Sequence, residues 1–158
     1  MSRLWAPWRM KYIRTAGKEK HCIFCRIQAK PSRERIVFKS PHSVCLLNIY
    51  PYNNGHLMVS PLRHIKDLDL LKPEEGSDLF KSVAIAERLL KKALKPDGFN
   101  IGINIGKAAG AGITGHLHIH IVPRWNGDTN FMPVIHNTRV VSQSLRDLFK
   151  KLNHARKK

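Results

Sequence analysis

The chain has 158 residues, about one domain's worth, long enough to bury a core without disulfide staples. Hydrophobic residues at 42% and charged residues at 25% exclude wholesale disorder, and three cysteines exclude a secreted disulfide framework. The charge is the abnormal quantity, +17, and it sits at the ends: residues 1–35 carry 10 basic and 2 acidic side chains, and residues 139–158 carry 7 and 1. Such a field draws polyanions (RNA, DNA, a polyphosphate substrate) or simply sets solubility. No apolar run approaches the ~20 residues of a membrane span, and no signal-peptide core opens the chain. A cytoplasmic protein with no membrane partner is expected.

In chain order, residues 1–20 read as a basic, aromatic arm (Trp5, Trp8, Tyr12), residues 21–138 as the main domain and residues 139–158 as a basic C-terminal helix and tail. Cys22-Ile-Phe-Cys25 is followed by a turn-prone Pro31-Ser32. Ile36–Phe38 and Val44–Leu47 read as strands, with Ser40-Pro41-His42-Ser43 turning between them. Asn48–Gly55 is a loop, and His56–Ser60 a third strand stopped by Pro61. Pro73–Lys95 is the clearest helix: Leu79, Val83, Ala86, Leu90 and Leu94 recur at three- and four-residue spacing, and acids open it while lysines close it. Phe99, Ile101, Ile103 and Ile105 alternate with polar or small residues, the period of a half-buried strand. A Gly/Ala loop (106–115) leads to His116–Pro123, which alternates again, and Ser142–His154 reads as a short basic helix. Strands neighbouring in sequence with one long helix on them make an α+β fold with an antiparallel sheet.

His116-Leu-His118-Ile-His120-Ile places three imidazoles two residues apart. On a strand they share a face, about 6.5–7 Å apart, when Leu117, Ile119 and Ile121 face the core. A lone histidine is usually structural; three in register beside a glycine-rich loop point to function. One chemistry is metal ligation, although a straight strand holds the third ring too far to share one ion. The other is a histidine nucleophile toward phosphorus, with its neighbours on phosphate oxygens and glycine amides approaching the phosphate closely. The loop adjoining the row favours phosphoryl chemistry.

These residues resemble the signature of the histidine triad family of nucleotide hydrolases and transferases. The likeness rests on HLHIHIVPR with the preceding NIGKAAGAGITG and extends to LLNIYPYNNGHLMVSP, residues 46–61. LWAPWRMKYI and RWNGDTNFMPV are similar to the bacterial branch that contains diadenosine tetraphosphate phosphorylases. The resemblance implies a histidine-triad antiparallel sheet, a nucleotide substrate, no organic cofactor, and a homo-oligomer, dimer or tetramer. It implies His118 as the nucleophile that takes the nucleotidyl group and His120 as a contact to the same phosphate. Asn104, Gly110 and Gly112 would serve the phosphate loop, Asn48 the ribose, and His56 the phosphate side of the site. That branch tends to carry a glycine and a hydroxyl residue where phosphate enters; Ala111 and Gly112 stand there. The acceptor, inorganic phosphate or water, is open.

A nucleophilic imidazole must be neutral beside an anion that raises its pKa. The counterweight expected is a hydrogen bond from the second ring nitrogen of His118 to a backbone carbonyl, helped by a cation such as Arg124. His120 is expected to work protonated.

Cys22-x-x-Cys25 reads as half a zinc site or a redox pair, with Cys45 one further ligand candidate. The resemblance implies a structural zinc on Cys22, Cys25, His64 and His116, which would also lock the strand presenting His118. The competing function is a nucleic-acid-binding protein whose triad holds nucleotide or zinc without catalysis, drawing on the basic ends.

Overall fold

The structure is a computed structural model that describes residues 22–29, 35–128 and 143–157. The expected N-terminal arm and the Pro31-Ser32 turn lie outside the described residues. Five antiparallel strands form one sheet in the order β1-β2-β3-β5-β4: β1 (Ile36–Lys39), β2 (Ser43–Leu47), β3 (Leu57–Pro61), β4 (Gly98–Ile103) and β5 (Ile119–Arg124). Three α-helices among the described residues flank it: α1 (Ile23–Ala29), α2 (Pro73–Leu94) and α3 (Leu145–Lys157). The α+β expectation holds, with one long helix and a short C-terminal one.

The two periodicities assign the faces. Leu79, Val83, Ala86 and Leu90 of α2 are buried against Cys45, Leu47, Leu57, Val59, Ile119 and Ile121 of the sheet, and Leu148, Leu152 and Ala155 of α3 join them. Each such leucine contributes roughly 1.5–3 kcal/mol by leaving water. α2 starts at Pro73, where a missing N–H costs nothing, and the Glu75 carboxylate accepts the Lys72 N–H at 2.9 Å. It ends with Lys95 at φ 50°, a left-handed closing residue.

The opposite face of the sheet carries Val44 and Leu46, covered by Phe24 and Ile27 of α1. No periodic pattern announced α1, since seven residues make too short a stripe. β2 is buried along its whole length because both faces are covered.

Two departures from the expected strands matter. β5 begins at Ile119, so His116 and His118 precede the ladder rather than riding on it. The chain there is held instead by Leu117 N–H donating to Ile65 O at 2.7 Å. β4 is an edge strand, and its apolar alternation is only half used: Phe99 and Ile103 pack on the core while Ile101 stays 46% exposed.

Candidate functional site

The histidines gather where β3, β5 and the loop between β2 and β3 meet. Leu117, Ile119 and Ile121 occupy the core, so the imidazoles are turned to the face that α1 covers. His116, His118 and His120 are all buried, at 1%, 3% and 8% exposure. The row is not straight. The rings of His118 and His120 lie 4.8 Å apart, closer than strand spacing, whereas His116 turns away toward the cysteines. Phe24 of α1 sits 5.0 Å from the His116 ring and 5.1 Å from the His118 ring. Sequence reasoning missed it, because Phe24 reads as one apolar residue inside Cys-x-x-Cys.

Hydrogen bonds to groups of fixed polarity settle the tautomers. His118 Nδ1–H donates to His116 O at 2.8 Å, which leaves Nε2 with its lone pair. His116 Nε2–H donates to Pro61 O at 2.9 Å, which frees Nδ1. The Tyr52 N–H donates to His56 Nδ1 at 3.0 Å. His56 therefore carries its proton on Nε2 and donates to His120 Nδ1 at 2.9 Å. His120 is left presenting an Nε2–H donor while neutral. Its ring lies 5.4 Å from that of Tyr52, stacked on it.

Burial holds His118 below its ordinary range, whereas its bond to His116 O acts the other way. The expected carbonyl bond is there, but it fixes the tautomer and favours the charged ring; burial is the true counterweight. Burial, and then the neighbouring His118, lower His120 to about 4. The ligand-free fold thus keeps His120 neutral near pH 7, whereas the protonated ring was expected with phosphate held. Burial, followed by His120 and His118, takes His56 to about 3. Arg124 does not act on the triad as a lone cation: its guanidinium binds Asp128 twice, at 2.6 and 2.7 Å, and Asn100 Oδ1 at 2.6 Å.

Asn48 is buried beside His56. Its carbonyl oxygen accepts the Tyr50 N–H at 2.8 Å and its amide lies 3.2 Å from His56 Nδ1. Asn104 stands at the end of β4 and makes no side-chain hydrogen bond to another described residue. Gly110 and Gly112 are exposed on the loop that follows; Gly110 has φ +85°, a conformation glycine adopts without strain. The structure thus brings His56, His118, His120 and Asn48 together, and leaves Asn104, Gly110 and Gly112 on the loop leading to them.

The cysteines form a second cluster. Sγ of Cys22 lies 3.2 Å from His116 Nδ1, and Sγ of Cys25 lies 3.3 Å from His64 Nδ1 and 3.7 Å from His116 Nδ1. The four ligand atoms fall within 4.8 Å of one another, near the edges of about 3.3–3.8 Å that a tetrahedral site with bonds of about 2.0–2.3 Å requires. Two thiols and two imidazoles are a donor set that can hold a metal ion, and the Pro61 carbonyl behind His116 fixes the tautomer such a ligand needs. Burial, then the adjacent Cys22 sulfur, raises the Cys25 thiol, which a bound cation would reverse. Cys45 is not part of this cluster; it is fully buried in the main core, and burial drives its thiol far up.

Known proteins similar to this chain share one family. A family model described as HIT domain matches residues 29–127. The AP-4-A phosphorylase of Mycobacterium tuberculosis is 38% identical over 156 residues, covering 93% of this chain and 80% of that protein. The bis(5'-adenosyl)-triphosphatase of Saccharomyces cerevisiae is 36% identical over 93 residues, 58% of this chain and 45% of that protein. Among solved structures, a zinc-bound histidine triad family protein from Mycobacterium smegmatis superposes with a TM-score of 0.65 at 31% identity, over 85% of this chain and 91% of that one.

Proposed function

This chain belongs to the HIT domain family, and on that premise we propose that it is an enzyme that processes dinucleoside polyphosphates. The observation that carries the reading is the bond from His118 Nδ1–H to His116 O, which leaves a neutral Nε2 with its lone pair. That lone pair attacks a phosphorus atom of the substrate. The bond from phosphorus to its bridging oxygen breaks, and one nucleotide leaves with the electron pair. The nucleotidyl group remains on His118 until inorganic phosphate or water displaces it. His120 Nε2–H donates to the charge that develops on oxygen in both steps, a donor already in place that needs no extra proton. Asn48 and His56 support this edge of the site, and Asn104, Gly110 and Gly112 supply donors to the phosphate chain. The similarity to AP-4-A phosphorylase supports diadenosine tetraphosphate as substrate and phosphate as acceptor.

The test is product analysis with diadenosine tetraphosphate, with and without phosphate. ADP plus ATP appearing only with phosphate means phosphorolysis; ATP plus AMP, or two ADP, without it means hydrolysis. His118→Ala should lose about 10³-fold or more, since its role is covalent. A wild-type chain that leaves the substrate untouched, or an unimpaired variant, refutes the assignment.

The donor set at Cys22, Cys25, His64 and His116 supports zinc in a structural role, four protein ligands closing its coordination. Zinc there would fix His116, whose carbonyl orients His118. The exposed apolar edge of β4, with Ile101, supports assembly with a second copy of the chain, as dimer or tetramer. No helix among the described residues is long and apolar enough to cross a membrane, and work in the cytoplasm suits a nucleotide substrate. A second role in binding nucleic acid is supported by α3, which exposes Arg146, Lys150, Lys151, Arg156 and Lys157 against the single acid Asp147. Oligonucleotide affinity that falls steeply with salt would establish it, and no binding at low salt would dismiss it.

A further inference from the structure

The Asp128 carboxylate, 11% exposed, lies beyond the end of β5 and accepts from four donors among the described residues. Arg124 Nε donates to Oδ2 at 2.6 Å and Nη2 to Oδ1 at 2.7 Å. The Trp125 N–H donates to Oδ2 at 3.2 Å, and Asn53 Nδ2 donates to the same oxygen at 2.8 Å. Of these four bonds between described residues, the Asn53 bond is the one that leaves the β5 end of the molecule. It reaches 75 residues back along the chain, into the loop between β2 and β3. Asn53 Nδ2 also donates to Pro123 O at 3.1 Å, its Oδ1 accepts the Asn54 N–H at 2.9 Å, and its backbone carbonyl accepts the His56 N–H at 3.3 Å. One residue before Asn53 stands the Tyr52 N–H that donates to His56 Nδ1.

We propose that Asp128 is a positioning residue for His120: held by Arg124, its carboxylate pins Asn53, and so the turn whose Tyr52 amide keeps His56, and through it His120, in the Nε2–H form. The alternative for an i,i+4 ion pair half open to water is that it contributes almost nothing. Three features separate this pair from that case. The carboxylate is nearly buried, the Arg124 contact is bidentate, and the Asn53 donor belongs to the segment that sets the relay. A loosened Asn53 lets the Tyr52 N–H drift from His56 Nδ1. His56 then keeps the Asn48 amide, a donor 3.2 Å from Nδ1 and 3.4 Å from Nε2 that suits either tautomer. It can therefore carry its proton on either nitrogen, and His120 loses the neighbour that forces its own proton to Nε2. The proposal rests on the reading that His120 donates to substrate oxygen, and it extends that reading to a residue touching no substrate.

Asp128→Asn tests it, because the isostere keeps the shape but sets an NH2 group against the guanidinium. Imidazole nitrogen NMR on the ligand-free full chain reads the tautomers directly, and steady-state kinetics with diadenosine tetraphosphate reads the consequence. In wild type His120 should show the Nε2–H form alone; in Asp128→Asn it should show a mixture. The value of kcat should fall by about 10–100-fold with KM nearly unchanged, because geometry at the reacting atoms is lost rather than binding. Asp128→Glu, which keeps the charge, should recover part of both signals. Asn53→Ala leaves the Arg124–Asp128 pair intact and should reproduce the tautomer mixture; it also decides the matter where Asp128→Asn fails to fold. A folded Asp128→Asn with His120 still wholly Nε2–H overturns the proposal, as does an Asn53→Ala chain with an unaltered relay. A wild-type chain without turnover sinks the functional reading instead, and the tautomer spectra still decide the clamp.

Discussion

Gly55→Ala isolates how tightly the loop bearing His56 is packed. Gly55 has φ +80°, and a Cβ there would lie 2.6 Å from Leu94 Cδ1, 2.9 Å from Pro123 Cγ and 3.2 Å from Leu90 Cδ2. The backbone conformation costs alanine about 1 kcal/mol. The methyl group also enters the seam between α2 and β5, where Leu90 is fully buried and has no room to retreat, and overpacking of that kind costs about 2 kcal/mol. The sum, about 3 kcal/mol, lowers the melting temperature by about 6–12 °C at this chain length. Gly106→Ala supplies the control. Its φ is +81°, nearly the same, but nothing lies within 4 Å of the added Cβ. It carries the conformational cost alone, a fall of about 2–4 °C. Thermal unfolding followed by circular dichroism, with urea midpoints at constant m-value, measures both variants. Equal losses in the two would refute the argument, since steric contact would then contribute nothing. A Gly55→Ala chain as stable as wild type would refute the packing of the loop altogether.

Acid should destabilise the fold well above the carboxylate range. His120 and His56 sit at about 4 and about 3 in the fold against an ordinary 6.5, so between these values the unfolded chain binds protons the folded one refuses. Stability is whole above pH 6.5 and drains as pH falls toward 4, with His120 contributing about 2 kcal/mol of loss between pH 7 and 5. Urea midpoints across that range should fall, less steeply in His120→Asn; a flat profile contradicts the burial. The chain should purify with one zinc per copy, and Cys22→Ser should lower both metal content and melting temperature. A metal-free chain melting at the same temperature would refute the site. Ile101→Lys places a charge on the exposed edge of β4 and should shift sedimentation toward the monomer; an unchanged mass would place any interface elsewhere.

Periodicity carried much of the fold in plain view. The α2 stripe and the alternation of Leu117, Ile119 and Ile121 are short-range patterns that record which side of one element leaves water, and the short apolar runs at Ile36, Val44 and Leu57 are as local. The histidine row itself was equally legible, since residue type and spacing of two are local facts. Tertiary structure decided what depends on partners distant in sequence. α1 was too short to show a stripe, and it gains its place only by covering Val44 and Leu46. The bend that turns His116 to the cysteines follows from its bond to Pro61, 55 residues away. The charge states of His56 and His120 follow from burial and then from the neighbouring triad histidines, so no spacing could convey them. The link from Asp128 to Asn53 spans 75 residues, and each residue by itself reads as an ordinary turn former. Local sequence set which groups could act; packing over the sheet, by excluding water, set the protons they carry.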